Sequence, residues 1–461
     1  MRSLVFTALL LAMMPVALRY AHVAVMVWIW VAMVAPSHYI YGFISDIPLN
    51  KVVVAVAFIA LLVDRQYRPK LRFDAHVVLL IAFLAVAMLS YMFALTRISR
   101  VDDLADRLFK AVVLCMFVVA TVRTRLQIHS VMIAACMGMG IHGAIEAAKY
   151  IASAGGHVLL GPPTIGDNNH FGLAILLVIA PLAYLYRYSQ SLLVKAAFAL
   201  AALANVIGVI ATHSRGALIG LIAVGVAAFF KSRNKLAMLL VIAVVGGIGA
   251  TLAPDRWYER MGTISEARED GSFMGRVSSW KMNLIVALDR PLTGGGFSSM
   301  EDPWVWGQYL RSFPSMDWLV ESPTPTQPLA AHSIYFQVLG DTGFIGLILF
   351  LALLAMAFRN IQVIRKLTRD REDLQWARDL ALALHFSLIG YSVSGAALSL
   401  AYFEFYYLLI TVAAVTRYHV ETVLGVAGKA KAASVLRSVH PAFQVGGAAV
   451  RPGAANRRFQ R

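Results

Sequence analysis

The sequence predicts an all-α, polytopic membrane protein of about 12 or 13 transmembrane helices, with one long periplasmic loop that contains short helices. Three observations predict it. Hydrophobic residues make up 59% of the 461 residues and charged residues only 14%, with a mean hydropathy of +0.69, which leaves a soluble domain too little charge to cover itself. Apolar runs that approach the bilayer length of about 17 to 25 residues recur throughout, several of them shorter than a full span. The 41 Lys and Arg against 25 Asp and Glu, a net charge of +16, collect in short loops at alternate turns of the chain. That is how cytoplasmic loops are marked, so the charge speaks for membrane orientation and not for nucleic acid.

The runs lie at 4–17, 23–35, 52–63, 77–95, 108–122, 131–150, 171–186, 193–211, 217–230, 236–252, 334–358, 380–400 and 403–415. They divide the chain into spans over 1–252, a hydrophilic loop domain over 253–330, spans again over 331–418, and a basic cytoplasmic tail over 419–461. Basic clusters at Arg65 to Arg72, Arg123 and Arg125, Arg187 and Lys195, Lys231 to Lys235, and Arg359 to Arg378 mark the inner loops. Pro15 interrupts the first run, so the first two runs are expected as a broken or re-entrant pair, and no cleavable signal stands out. Cys115 and Cys136 both fall inside apolar runs and read as small buried hydrophobes. No Walker loop or dinucleotide fingerprint is present.

Four outward stretches carry polar chemistry. Thr96 to Lys110 mixes Arg97, Arg100, Arg107 and Lys110 with Asp102, Asp103 and Asp106, as a surface helix with paired charges would. Near the end of the sixth span, Glu146 and Lys149 stand one turn from His142, either as a functional ionisable group or as an interfacial ion pair. The turn-rich segment Gly155 to His170 ends in Asp167-Asn168-Asn169-His170, where Asn168, Asn169 and His170 serve either as a helix cap or as contacts to a glycan or phosphate. Between the eighth and ninth spans lies Thr212-His213-Ser214-Arg215-Gly216-Ala217. Its outward arginine suits a phosphate, which a guanidinium grips in bidentate fashion, or else snorkels to the interface.

The long loop, with Trp257, Trp280, Trp304, Trp306 and Trp318, should be ordered. Met274 to Asp289 reads as a helix with Arg276, Trp280 and Asn283 on one face and Leu284, Val286 and Leu288 as apolar surface. Thr293-Gly294-Gly295-Gly296-Phe297 follows as a turn whose backbone N–H groups could face an anion. Trp304, Trp306, Tyr309 and Trp318 fit interface anchoring better than a glycan platform, and the adjacent Glu301 and Asp302 read as solvated loop charges. Beyond Pro323, Pro325 and Pro328 the chain enters the membrane at Ala331-His332-Ser333, which puts an imidazole at the boundary between lipid and water. On residue type alone a lone histidine there is a polar interface residue; with a lipid-borne substrate it is a base.

Three of these stretches together resemble the O-antigen ligase and polymerase superfamily of bacterial membrane glycosyltransferases, a likeness that extends to a branch of O-glycosylation ligases. They are Thr212 to Ala217; Gly275-Arg276 with Trp280 and the glycine turn; and Ala331-His332-Ser333-Ile334-Tyr335 followed by Gly340-Asp341-Thr342-Gly343-Phe344-Ile345-Gly346. The Gly166-Asp167-Asn168-Asn169 loop is also similar. The likeness covers about residues 161–418, and before that only general hydropathy.

The resemblance implies a metal-independent, inverting transfer without cofactor, from an undecaprenyl-diphosphate-linked glycan to a hydroxyl of lipid A core, on the periplasmic side of the bacterial inner membrane. It makes Arg215 and Arg276 the diphosphate ligands and His332 the base or positioning group. Ser214, Trp280, Gly295, Ser333, Tyr335, Asn168 and Asn169 are the implied substrate contacts, with Ser333 standing where many members carry Asn. Arginines that neutralise a diphosphate leaving group stand in for a metal, and no DxD-like motif is present in the outer loops. A polymerase or a protein O-oligosaccharyltransferase would share the donor site. A lipid-linked glycan transporter would instead need a charged path in mid-span, of which only the Glu146 group is a sign.

Overall fold

The structure is a computed structural model that describes residues 2–36, 39–40, 47–64, 72–162, 165–232, 234–252, 271–322 and 324–425. Arg65, Arg68, Lys70, Arg233, Trp257 and Pro323, the first part of the long loop and nearly all of the basic tail lie outside the described residues. Every regular element among the described residues is helical. Before the loop these are α1 (Arg2–Arg19), α2 (Ala21–Val34), α3 (Leu49–Val63), α4 (Ala75–Met92), α5 (Ser99–Thr121), α6 (Arg125–Ala152), α7 (Asn168–Tyr188), α8 (Leu192–Ala211), α9 (Arg215–Lys231) and α10 (Lys235–Leu252). The loop region carries α11 (Gly271–Asp289) and α12 (Pro303–Leu310), and α13 (Ile334–Leu367), α14 (Gln375–Gly395) and α15 (Glu404–Val423) follow.

Each apolar run falls on a helix, and the chain is an all-α, multi-pass membrane protein. Among the described residues five helices, α4, α6, α7, α8 and α13, are long and apolar enough to cross a bilayer. Of the other helices, α2 and α3 have 14 and 15 residues and α9 has 17, and α5 begins with Arg100, Asp102, Asp103, Asp106 and Arg107. That charged stretch is not a separate surface helix, because it runs on without a break into the apolar part of α5. Its charges are paired, Lys110 with Asp106, Arg100 with Glu301 at 3.2 Å and Arg107 with Glu404 at 3.6 Å. At the start of the chain α1 runs unbroken through Pro15, and the interruption comes instead at the extended Tyr20.

The bundle is organised on α7, which packs against α6, α8, α9 and α14. Small residues let backbones approach where lipid offers no hydrophobic drive. A Cβ on Gly143 would meet Asn205 Oδ1 at 2.2 Å, and the same amide donates to the Gly140 carbonyl at 3.0 Å. Likewise Gly220 makes room for the hydroxyl of Ser394.

The second organising feature is a break in α13. At Gly343 the backbone leaves helical geometry (φ 70, ψ −169), which frees the carbonyls of Gly340 and Asp341 and the N–H of Phe344. The turn after α11 replaces the missing partners. Gly295 N–H donates to Gly340 O at 2.8 Å, Gly296 N–H to Asp341 O at 3.0 Å, and Pro291 O accepts Phe344 N–H at 2.9 Å. The end of α4 closes the junction, through Ser90 Oγ donating to Asp341 O at 2.5 Å and Leu95 N–H to Gly295 O at 2.8 Å. The Asp341 side chain, fully buried, accepts from Ser298 N–H at 2.8 Å and from Tyr402 OH at 2.9 Å. The glycine turn therefore does not offer its N–H groups to an anion: those of Gly294, Gly295 and Gly296 all go to protein carbonyls.

The loop region has a small core of its own, in which Met282, Ile285, Val286, Met300, Val305, Trp306 and Phe313 are buried. Trp306 is thus a core residue and not an interface anchor, while Trp304 and Trp318 are exposed. Leu288, expected as apolar surface for packing, points outward instead. Asp302 is no solvated loop charge, since it caps α12 by accepting from Trp304 N–H at 2.7 Å and takes the Thr96 hydroxyl as well.

Candidate functional site

The approach to α13 is held by α11. Ser279 Oγ donates to Ala330 O at 2.7 Å, and Trp280 stacks on Phe336 with ring centroids 5.3 Å apart and planes 5° from parallel. Asn283, one turn on, fills the space that Gly340 leaves, where a Cβ would lie 2.0 Å from its Oδ1. The face predicted for Arg276, Trp280 and Asn283 is therefore the face that presses on residues 329–340. A ring stack of this kind is worth about 0.5–1.5 kcal/mol beyond its buried area. One face of Trp280 is taken by Phe336, so the residue packs the site together.

Between these anchors the backbone at His332 adopts a positive φ of 45, in the left-handed region, and Ser333 becomes the buried N-cap position of α13 without a side-chain cap bond. His213, in the α8–α9 turn, also has positive φ, at 55. Non-glycine residues in this region cost of order 1 kcal/mol or more and concentrate at functional sites. The imidazole of His332 is half-buried. Burial pulls its pKa below the ordinary histidine value, and the charges of Arg276 and His170 pull it the same way, against Asp167, which raises it. His332 thus stands among Arg276 from α11 and the Asp167–His170 pair at the start of α7, and is neutral at neutral pH.

Asp167 is the N-cap of α7: its Oδ1 accepts from His170 N–H at 2.8 Å and meets His170 Nδ1 at 3.0 Å. Burial works to raise the pKa of this carboxyl, but the His170 contacts outweigh it and hold Asp167 well below the usual carboxylate range. Asn168 and Asn169 therefore do not cap the helix. Asn168 Nδ2 instead donates to Thr212 O at 2.7 Å, and Asn169 Nδ2 reaches Asn168 Oδ1 at 3.4 Å. Asn168 thereby ties the start of α7 to the turn that carries Arg215.

In that turn Ser214 caps α9 by accepting from Ala217 N–H at 3.3 Å, and Arg215 is the first helical residue, half-buried. Gly216 approaches Leu398 and Ala397 closely, Ile334 packs on Gly395, and Tyr335 OH donates to Ser392 O at 3.0 Å. The Arg215 and His332 stretches are thus seated on the same end of α14. The polar groups of Ser214 and Tyr335 are committed to the protein, and Gly295 is a packing position whose Cβ would lie 2.3 Å from Ser299 Oγ. What converges is Arg276, His332 and the Asp167–His170 pair, with the Arg215 turn joined to them through Asn168. His170, as the partner of Asp167 beside His332, and Asp341, as the anchor beneath, are the participants that motif reading left in the background. Asp167 and His170 at i and i+3 are the one sequence signal that could have singled out the former.

Glu146 is paired on both sides, with Lys149 at 2.6 Å and with His157 Nε2 at 2.6 Å. It forms an ion cluster at the end of α6 and not a charged path through the bilayer.

Arg276 beside the His332 imidazole, with the Arg215 turn tied in through Asn168, suits an anion next to a proton acceptor. Residues 196–351 match the model of a family described as O-antigen ligase, a span that includes Arg215, Arg276 and His332. Residues 1–183, with the Asp167–His170 pair, match a family of unknown function. No curated protein matches the chain.

Proposed function

We propose, from the premise that the chain is a member of the O-antigen ligase superfamily through residues 196–351, that it transfers a glycan from undecaprenyl diphosphate to a hydroxyl of lipid A core. The site would face the periplasm from the inner membrane. Arg215 and Arg276 hold the diphosphate, and His332 takes the proton of the acceptor hydroxyl as its oxygen attacks the anomeric carbon. The new glycosidic C–O bond forms as the sugar–phosphate bond breaks, and the electron pair leaves on the diphosphate. One displacement inverts the anomeric centre. The guanidinium groups neutralise the charge that develops on the leaving group, and the step draws on no divalent ion.

The observation that carries this reading is the His332 environment. A half-buried imidazole whose pKa is lowered by burial and by the neighbouring Arg276 stays unprotonated, ready to accept a proton, beside a group suited to a phosphate. The strained backbone at His332 fits a side chain whose direction matters.

The test is transfer by purified protein supplied with an undecaprenyl-diphosphate glycan and lipid A core, wild type against His332→Ala. The variant should lose about 100- to 10,000-fold in turnover and keep donor binding. Arg215→Ala and Arg276→Ala should weaken donor binding as well. Full turnover by His332→Ala removes the base. Product on a growing glycan or on a protein hydroxyl, with none on lipid A core, keeps the donor chemistry and changes the acceptor.

A further inference from the structure

At the end of the bundle opposite His332, which the basic-loop pattern assigns to the cytoplasm, four helices bring cations to one hollow. Arg187 closes α7, Lys231 closes α9, Arg365 lies in the last turn of α13 and Arg378 in the first turns of α14. All four line a cavity of about 570 Å³, within the range of about 300–1,000 Å³ common for small-molecule sites. The rest of the lining is mostly polar.

Any one of these cations is accounted for by a helix end, since the C-terminus of a helix favours positive charge. That does not account for their convergence on a polar hollow. The carboxylate among the described lining residues is Asp379, and it is already engaged: Arg187 Nη1 lies 3.3 Å from it, and Tyr188 OH donates to it at 2.7 Å. Arg378 is held by donating Nη1 to the carbonyls of Arg369 at 2.7 Å and Thr368 at 3.4 Å, which fixes its guanidinium at the wall. Four cations against one carboxylate leave an excess of three positive charges facing the cavity. A compact anion with several acceptor oxygens answers that chemistry.

We propose that this cavity binds a phosphate group on the cytoplasmic side, with Lys231 and Arg365 as its principal ligands. The phosphate belongs either to the headgroup of an anionic phospholipid or to a soluble anion, and both would meet the same residues. The site is separate from the His332 centre and does not depend on the transfer chemistry proposed for it.

Full-length protein in a neutral detergent is titrated with phosphatidylglycerol and, separately, with inorganic phosphate, and bound ligand is read by native mass spectrometry and by the shift in melting temperature. The double variant Lys231→Gln, Arg365→Gln should bind roughly 30-fold more weakly, about fivefold for each cation removed. Arg371→Gln is the control, because Arg371 pairs with Asp373 at 2.7 Å and does not line the cavity. It should leave binding unchanged. The charge-preserving double variant Lys231→Arg, Arg365→Lys should retain binding, which separates loss of charge from loss of fold. Saturable phosphatidylglycerol binding with this pattern assigns a lipid headgroup, and saturable inorganic phosphate binding with this pattern in its place assigns a soluble anion. Binding of neither probe by wild type, or equal binding by wild type and a folded double Gln variant, overturns the proposal.

Discussion

Replacing Gly343 by Ala tests the junction on which the site is seated. The residue sits at φ 70 and ψ −169, a conformation close to glycine-only, so a methyl group there costs about 1–3 kcal/mol in backbone strain. The new Cβ would also lie 2.5 Å from Pro291 O and 3.0 Å from Gly294 N. Neither atom can withdraw freely: Pro291 O accepts Phe344 N–H, and Gly294 N–H donates to Arg290 O at 2.8 Å. Forced overpacking against such neighbours adds about 1–3 kcal/mol. The two terms together come to about 2–6 kcal/mol. Gly166→Ala supplies the comparison, since that residue has φ 90 with nothing within 4 Å of an added methyl group, so it should show the strain alone. The assay is thermal unfolding in detergent, followed by limited proteolysis of the segment 290–331. Gly343→Ala should melt clearly lower than Gly166→Ala, expose the loop to cleavage and lose transfer activity with it. If the two variants melt together, the loop does not clamp the broken helix and the argument fails.

The remaining predictions concern the site and its supports. Asp167→Asn keeps a capping side chain at α7 but removes the negative charge that raises the His332 pKa, so the acid limb of kcat/KM moves to lower pH. A limb that stays put means another group is titrating. Asn168→Ala removes the bond to Thr212 O, at about 1 kcal/mol, and should raise the donor KM severalfold while changing kcat less; an unchanged KM would detach Asn168 from the Arg215 turn. Lys281→Met removes a buried ammonium that donates to Asp317 at 2.7 Å and Ser322 at 2.9 Å. Because Asp317 keeps much of its contact with water, the loss should be only about 1–2 kcal/mol, read as faster proteolysis around 313–322 with α13 intact.

The helices were legible because a lipid-facing helix must be apolar whatever its neighbours, and the face of α11 was legible because i, i+4 and i+7 align on any helix. The glycine turn was misjudged for a different reason. Gly295 and Gly340 are joined by a hydrogen bond although they lie far apart in the chain, and nothing in either stretch taken alone says that its free backbone groups are meant for the other. Local chemistry offered an anion as the partner; the fold supplied a broken helix. Asp167 shows a subtler limit. As a cap it is an ordinary helix start, and only the placement of α7 against residue 332 turns its charge into an influence on an imidazole far along the chain. Ser214, Ser333 and Tyr335 sit in the right stretches, yet a motif does not say whether a hydroxyl faces substrate or backbone, and here Ser214 and Tyr335 are bonded inward.

The exchange of hydrogen bonds at Gly343 also constrains how the protein is made. A helix that enters the bilayer with unpartnered carbonyls at Gly340 and Asp341 meets no water to relieve them. Residues 291–296 are synthesised before α13, so the length of chain that completes the break has already left the ribosome when the break arrives. Completing the break therefore needs that segment in place, and a chain whose loop is tethered away should leave the Gly340 and Asp341 carbonyls without these partners.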